Sequence, residues 1–84
     1  MKVTIKYFSW VRVKFQKSHD LFEFSDEITF SKLKNELIEK DSSFNEILKD
    51  KSIKYFINLK EITDENIPIN DGDEIALLPP VTGG

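Results

Sequence analysis

Hydrophobic and polar residues alternate at the start of the chain. In the segment MKVTIKYF, one face carries Val3, Ile5 and Tyr7. The opposite face carries Lys2, Thr4, Lys6 and Phe8. Since successive side chains of a strand point to opposite faces, this pattern predicts a strand with one buried face and with an apolar residue, Phe8, on its polar face. The two-residue rhythm continues from Val11 to Phe15 and in DLFEF at residues 20–24, which predicts a second strand paired with the first through a longer loop.

From Thr29 onward the spacing of apolar residues changes. They recur three and four positions apart, at Phe30, Leu33, Leu37 and Ile38. This spacing predicts an amphipathic helix lying on a sheet, with Thr29 as its N-cap and with Asp41 and Ser42 at its end. A short helical turn is predicted around Phe44, Ile47 and Leu48. Strand character returns in SIKYFINL at residues 52–59, and two more extended segments are predicted in DENIPIN at residues 64–70 and DEIALL at residues 73–78.

The order strand, strand, helix, strands predicts an α+β fold of the β-grasp type, with a mixed sheet of about five strands packed on one main helix. The first and last strands are expected to lie side by side and parallel at the centre of the sheet, because the helix between them supplies the crossover. A ferredoxin-like arrangement is the alternative, but it needs two substantial helices where the pattern gives one. We therefore predict a β-grasp domain over residues 1–78 and an extended C-terminal tail over residues 79–84.

Composition limits the function. The 84 residues suffice for one small domain, and a net charge of −3 argues against a nucleic-acid partner. A local basic stretch is either a solvated strand face or a contact for an acidic partner; it comprises Lys2, Lys6, Arg12, Lys14 and Lys17. The chain has no cysteine, which excludes thiol chemistry on its own side chains. Neither a membrane-spanning apolar run nor a signal peptide is recognisable, so we expect a cytoplasmic protein without a membrane partner.

Side chains suited to catalysis are sparse. The single histidine, His19, lies in the polar segment KSHD, where a solvated loop residue is expected rather than a metal ligand or a general base. Asp71, Asp73 and Glu74 surround Gly72, which is typical of a turn more than of a cation site, so we predict no metal centre. Serines and threonines have no evident base beside them. Any reactivity is therefore expected at the C-terminal end.

The C-terminal tail has properties that suit a reaction at its carboxylate. Pro79 and Pro80 end the last strand and direct the next residues away from the sheet. The four residues after them extend by about 13 Å. Gly83 and Gly84 have no Cβ, so they can enter a channel too narrow for other residues. The alternative is an ordinary frayed terminus.

The segment GDEIALLPPVTGG at residues 72–84 resembles the C-terminal signature of the small subunit of molybdopterin synthase, the MoaD family of ubiquitin-like sulfur carriers of the MoaD/ThiS type. In that family a GDE or GDx turn leads into a final apolar strand, PPV, a small residue and a terminal GG. KYFSWVR at residues 6–12 and FIN at residues 56–58 are also similar to the family. After Arg12 the family usually has an acidic residue and a glycine-containing turn, which residues 13–18 lack.

The resemblance implies a role for the tail. An adenylyltransferase of the ubiquitin-activating type would use ATP to convert the Gly84 carboxylate to a glycyl adenylate, and a persulfide sulfur donor would then convert it to a thiocarboxylate. The large catalytic subunit would receive this end and use its sulfur to build the molybdopterin dithiolene. The chain would be a non-catalytic subunit of a heterotetramer, with no permanently bound cofactor. The tail residues that the resemblance assigns to this role are Pro79, Pro80, Val81, Thr82, Gly83 and Gly84.

The alternation of the last strand also predicts a docking surface. Ile75 and Leu77 should face the core, which leaves Ala76 and Leu78 on the outside. If the first and last strands are adjacent, Phe8 and Leu78 form an apolar patch at the base of the tail, with Ile62 extending it. These three residues, Phe8, Leu78 and Ile62, are the predicted partner-binding residues, and the resemblance places partner contacts in the same region. The alternative is that isolated apolar residues on a surface have no function.

Three other functions are compatible with the sequence. A sulfur carrier of the thiamine pathway would share the fold and the terminal diglycine. A ubiquitin-like protein modifier would attach its activated Gly84 to lysines of target proteins. An interaction module would use the surface of the domain and no tail chemistry.

Overall fold

The computed structural model describes residues 1–80 of the chain, which form a five-stranded mixed sheet and three helices. The elements in chain order are β1 (Lys2–Tyr7), α1 (Ser9–Phe15), β2 (His19–Glu23), α2 (Phe30–Lys40), α3 (Ser43–Lys49), β3 (Lys54–Ile57), β4 (Lys60–Glu61) and β5 (Glu74–Leu78). The strands lie in the order β2-β1-β5-β3-β4. This arrangement confirms the predicted β-grasp fold.

The two central strands are the first and the last of the chain, and they run parallel as predicted. Ile5 lies opposite Ile75, and Tyr7 lies opposite Leu77. The remaining pairs, β1 with β2, β3 with β5 and β3 with β4, are antiparallel. A parallel pair needs a long connection, and here α2 lies within it. The carboxyl ends of β1 and β5 consequently meet at the same edge of the sheet, where the C-terminal tail begins.

The core lies between one face of the sheet and the helices. α2 buries Phe30, Leu33 and Leu37, in the spacing predicted from the sequence. Its N-cap is Thr29, whose hydroxyl oxygen accepts a hydrogen bond from the Lys32 backbone N–H at 3.3 Å. Each fully buried leucine or phenylalanine contributes roughly 1.5–3 kcal/mol relative to an exposed one. These side chains therefore fix which face of the sheet is buried and which remains open.

Residues 9–15 correct the prediction of strand structure after Phe8, because they form α1. Val11 is fully buried and Phe15 is half-buried, whereas Val13 between them is 75% exposed. In a strand these three residues would share a face, but in a helix only the residues four positions apart do. The Phe15 ring packs on Tyr7 and Phe44 with centroid distances of 4.6 and 4.9 Å. This aromatic packing favours the helix over the strand preference of the β-branched valines.

The third and fourth strands also differ from the prediction. The short β4 follows β3 through a tight turn at Asn58 and Leu59, whose φ angles are +47° and +73°. The segment at residues 64–70, predicted to be extended, is irregular apart from an isolated bridge between Thr29 and Pro68. A strand of two residues is too short to give a recognisable alternation, which explains why the sequence pattern did not reveal it.

Candidate functional site

The outer face of the sheet is the first part of the candidate site. Ile75 and Leu77 are fully buried, so the residues that alternate with them, Ala76 and Leu78, point outward. Phe8 follows β1 directly and is 40% exposed. Because β1 and β5 are parallel and adjacent, Phe8 and Leu78 lie at the same end of the sheet. Both residues line one depression, as the sequence predicted for an apolar patch.

This depression, which we call the apolar hollow, has a volume of about 360 Å³. It is lined by Lys6, Phe8, Phe56, Asn58, Leu59, Glu74, Ala76 and Leu78. Ala76 pairs with Lys6 on one side and with Phe56 on the other, so its single methyl group lies between two longer side chains. A small residue at the centre of a row of large ones leaves space above it. The hollow is therefore a consequence of alanine at position 76.

The charged residues of the apolar hollow neutralise each other. Lys6 Nζ lies 3.1 Å from Glu74 Oε1, and both side chains are partly exposed. An exposed ion pair of this kind contributes about 0–1 kcal/mol to stability. Its main consequence is for recognition, since it leaves the hollow with an apolar lining and no uncompensated charge from this pair.

The base of the C-terminal tail is the second part of the site. Pro79 is fully buried, whereas Pro80 is exposed. Burial of Pro79 leaves no backbone donor unpaired, because proline has no N–H. Pro79, the first residue of the predicted tail, is thus packed against the folded body. The tail residues predicted to carry or present the reactive end, Val81, Thr82, Gly83 and Gly84, lie outside the described residues.

Ile62 lies apart from the apolar hollow. It is half-buried, packs against the core and donates its backbone N–H to the Tyr55 carbonyl at 2.8 Å. The structure therefore does not bring it together with Phe8 and Leu78. Phe56 and Leu59 take its place, although the sequence analysis did not single them out. The alternation in β3 could have identified Phe56, since Tyr55 and Ile57 face the core; nothing in the pattern predicted Leu59.

The acidic turn before β5 is joined to other segments of the chain by hydrogen bonds to its carboxylates. Asp73 is buried, and its carboxylate accepts hydrogen bonds from Asn58 Nδ2 at 3.0 Å and from the Asn70 backbone N–H at 2.7 Å. Asp71 accepts a hydrogen bond from the Lys2 backbone N–H at 2.7 Å. Gly72 between them has a φ angle of +87°, which glycine adopts without strain. The expected turn is confirmed, and within residues 1–80 no group of three or more acidic or histidine side chains could hold a metal ion.

His19, the single histidine, and the buried Tyr7 both interact with neighbouring polar side chains. His19 is the first residue of β2 rather than a loop residue, and it is exposed, with its Nδ1 2.9 Å from Ser18 Oγ. The Tyr7 hydroxyl donates a hydrogen bond to Asp20 Oδ2 at 2.7 Å. Burial is the main cause that raises the pKa of Tyr7 above its ordinary value, and the hydrogen bond to Asp20 is the second. The bond from Tyr7 therefore joins the end of β1 to β2.

Comparison with known families decides the class of protein. The model of the ThiS family matches residues 5–84, which is nearly the whole chain and includes the terminal diglycine. The chain belongs to the ThiS family. This assignment confirms the resemblance to ubiquitin-like sulfur carriers of the MoaD and ThiS type.

Solved structures share the fold of this ThiS-family chain. Subunit 1 of a molybdopterin converting factor from Pyrococcus furiosus has a TM-score of 0.79 at 22% identity, over 96% of this chain and 99% of that one. SAMP1 from Haloferax volcanii has a TM-score of 0.83 at 19% identity, with both chains fully covered. A complex of subunits 1 and 2 of the molybdopterin-converting factor from Helicobacter pylori gives 0.69 at 25% identity, again with full coverage of both chains. Comparison of this ThiS-family sequence with curated proteins gave no significant match.

Among the helices formed by residues 1–80, none combines the length and the apolar character that crossing a bilayer requires. The longest, α2, has 11 residues and only one apolar face. The candidate site of this ThiS-family member consists of the apolar hollow, the buried Pro79 and the tail that follows it in the sequence.

Proposed function

We propose that this chain is the sulfur-carrier subunit of molybdopterin synthase. The supporting observation is that the family match continues through residues 83 and 84, so the diglycine is part of the matched region. The docking face and the base of the tail meet at the same edge of the sheet, since Phe8 and Leu78 line the hollow and Pro79 follows Leu78 directly. A partner that binds the hollow thus lies beside the chain that leads to Gly84.

The proposed chemistry takes place at the Gly84 carboxylate. In the activating enzyme this carboxylate attacks the α-phosphorus of ATP and displaces pyrophosphate, which gives a glycyl adenylate. The terminal sulfur of a persulfide then attacks the carbonyl carbon and AMP leaves. A thiol cleaves the resulting acyl disulfide, becomes part of a new disulfide and releases the thiocarboxylate. The large subunit transfers this sulfur to the cyclic pyranopterin phosphate precursor, where two sulfurs form the dithiolene.

The apolar hollow supplies the contact with the large subunit in this proposal. A relative of similar fold from Helicobacter pylori is described as a complex of subunits 1 and 2, and an Amycolatopsis orientalis relative is described as a BexX/CysO complex. These neighbours support a partner protein for the present chain. A few side chains in well-packed, desolvated pockets contribute most of the binding energy of a contact, and Phe8 and Leu78 are the large apolar residues of the hollow that lie at the base of the tail.

The proposal is tested by mass spectrometry of the protein purified from cells that contain its partner genes. Replacement of one oxygen of the Gly84 carboxylate by sulfur is expected, and fragmentation of the C-terminal peptide must locate it, because oxidation of Met1 adds nearly the same mass. Addition of the large subunit and the pterin precursor should then return Gly84 to a carboxylate and yield the dithiolene. An end that stays unmodified with activating enzyme, ATP and persulfide donor all present would refute a sulfur-carrier role. A thiocarboxylate that the large subunit cannot use would favour the thiamine pathway instead.

A second candidate is a protein modifier, which the likeness to SAMP1, the small archaeal modifier protein 1 of Haloferax volcanii, favours. Here the Nζ of a lysine on a target protein would attack the glycyl adenylate, and AMP would leave as an isopeptide bond forms. Incubation with activating enzyme and ATP would then produce conjugates that resist both thiols and hydroxylamine. The last lysine is Lys60, so trypsin would leave residues 61–84 on the target, and a search for a diglycine remnant would miss them. Absence of such conjugates would eliminate this candidate.

A further inference from the structure

Leu59 is an unusual residue in this fold. Its side chain is 97% exposed, more than that of any other large apolar residue in the described part of the chain. Its φ angle is +73°, in the left-handed region that glycine and asparagine adopt more readily than leucine. Both features are unfavourable for the isolated chain. A residue with two such disadvantages is a candidate for a function that the free protein does not reveal.

The turn that carries Leu59 is held in place by its neighbour Asn58. The Asn58 backbone N–H donates to the Glu74 carbonyl at 2.9 Å, and Asn58 Oδ1 accepts from the Glu74 backbone N–H at 3.0 Å. Asn58 Nδ2 also donates to the buried Asp73 carboxylate. These bonds join the β3–β4 turn to the beginning of β5. Leu59 is therefore presented by a fixed turn beside the sheet, although its own side chain is free.

The position of this turn relates Leu59 to the apolar hollow. Leu59 lies in its lining together with Phe56 and Leu78, and the short side chain of Ala76 leaves space between β1 and β3. The Lys6–Glu74 ion pair compensates its own charges. An uncharged apolar group can enter such a space without leaving a charge unpaired, whereas a phosphate or carboxylate would find no free cation in that pair.

We infer that the apolar hollow accepts one large, uncharged apolar side chain of the large subunit and that Leu59 packs over it. This inference rests on the proposed docking of the large subunit at the hollow, and it assigns to Leu59 the role of a specificity-determining contact. Leu59 gains by binding, because its exposed apolar surface leaves water only in the complex. A side chain that becomes fully desolvated in a well-packed contact can have a large effect on affinity when it is truncated.

The test compares Leu59→Asn with the wild-type protein in binding to the large subunit from the same organism. Asparagine tolerates a positive φ angle, so the variant should melt at the same temperature as the wild type or higher. Its dissociation constant for the large subunit should rise about tenfold or more. The matched control is Leu21→Asn, which removes another leucine, 62% exposed and paired with Thr4 on the same outward face but outside the hollow. This control should change the dissociation constant less than about twofold.

A second variant tests the hollow itself. Ala76→Leu fills the space above position 76 without adding charge, so it should weaken binding by about tenfold, while circular dichroism and thermal unfolding should show a folded protein. A dissociation constant for Leu59→Asn equal to that of the wild type would overturn the role of Leu59 and leave the docking proposal intact. A wild-type chain that does not bind the large subunit would refute the docking proposal and this inference with it. If both Leu59→Asn and Leu59→Gly lower the melting temperature, the role of Leu59 is structural instead. If the wild type self-associates and Leu59→Asn abolishes this, Leu59 belongs to a contact between copies of this chain.

Discussion

Tyr7 and Leu77 lie opposite each other at the ends of the two parallel central strands, and both are buried. Their pairing aligns the next residues of the two strands, since Phe8 comes directly after Tyr7, and Leu78 and Pro79 come directly after Leu77. One edge of the sheet therefore carries the exposed aromatic residue, the outward leucine and the beginning of the tail. The parallel register brings Phe8 and the base of the tail at Pro79 to the same end of the sheet although they are about 70 residues apart in the sequence.

The first prediction concerns the docking residues. Phe8→Asp and Leu78→Asp should each raise the dissociation constant for the large subunit by about 30-fold or more, because a charge at an apolar contact must be desolvated without a partner. Titration calorimetry with the purified subunit measures this constant. Leu21→Asp, on the same outward face, is the control and should bind normally. Unaltered affinity in both docking variants, with the fold intact by circular dichroism, would rule out the hollow as the contact.

The second prediction concerns the diglycine. Gly83→Val should lower the rate of adenylate formation about 100-fold or more, since a branched side chain in a narrow channel displaces the carboxylate from its position of attack. Exchange of labelled pyrophosphate into ATP with the activating enzyme measures this step. Affinity for the large subunit should be much less affected, because the hollow is unchanged. Normal exchange by the variant would mean that the tail does not need glycine at this position.

The third prediction concerns the network at the acidic turn. Asp73→Ala leaves Asn58 Nδ2 and the Asn70 backbone N–H without their acceptor, and loss of a buried hydrogen-bond partner costs roughly 1–3 kcal/mol. We expect the free energy of unfolding in urea to fall by about that amount. Asp71→Ala is the comparison, because Asp71 is exposed and, among residues 1–80, its carboxylate accepts only from the Lys2 N–H. This variant should cost about 0.5–1.5 kcal/mol. Equal effects for the two variants would contradict the importance of the buried carboxylate.

The fourth prediction concerns alkaline pH. Burial raises the pKa values of Tyr7 and Tyr55, so in the folded protein both phenols retain their protons at a pH where the unfolded chain, with a tyrosine pKa near 10, has lost them. The folded state then binds more protons than the unfolded state, and stability must decrease as the pH rises above about 10. The slope for one such tyrosine is about 1.4 kcal/mol per pH unit. The lowered pKa of Lys34, caused by desolvation, acts in the opposite direction.

Two variants separate these contributions to the alkaline transition. Tyr7→Phe and Tyr55→Phe should each make the free energy of unfolding less dependent on pH above about 10, with the larger change for Tyr7, which also donates to the Asp20 carboxylate. Urea unfolding at several pH values between 8 and about 11 measures the slopes. A slope for Tyr7→Phe that matches the wild type would show that Tyr7 ionises equally easily in both states.

Sequence pattern predicted the centre of the fold well. Val3, Ile5 and Tyr7 alternate with polar residues in β1, and Ile75 and Leu77 do so in β5, because each strand has one buried face. The spacing of Phe30, Leu33 and Leu37 predicted α2, because this helix also has one buried face. The segment with Val11, Val13 and Phe15 was wrongly predicted to be a strand. Apolar residues four positions apart fit one face of a helix, but in so short a segment they also fit one face of a strand. Contact of Phe15 with Phe44, 29 residues later, decides the structure, and a local pattern contains no such information.

The candidate site was predictable only in part. Phe8 and Leu78 could be assigned to one surface because strand alternation and the parallel pairing were both predictable. Leu59 could not be, since its position depends on a turn with two positive φ angles held by Asn58 and Glu74. Ile62 was placed on the patch because the β4 turn was not foreseen. The body of the fold is determined by periodicity, but the edge of the hollow is determined by hydrogen bonds between distant residues.

In the proposed sulfur-carrier role, the buried Pro79 is the fixed point from which the distance to the reacting Gly84 carboxylate is counted. The five residues from Pro80 to Gly84 follow it in the sequence, and a fully extended segment of five residues spans about 17 Å. An activating enzyme and a sulfur-accepting enzyme that both bind the sheet beside Leu78 must therefore hold their reacting atoms within about 17 Å of Pro79. Two enzymes of unrelated chemistry would then need the same distance between the surface that binds the sheet and the catalytic centre. A chain with one residue inserted after Pro80 would place its carboxylate wrongly in both enzymes.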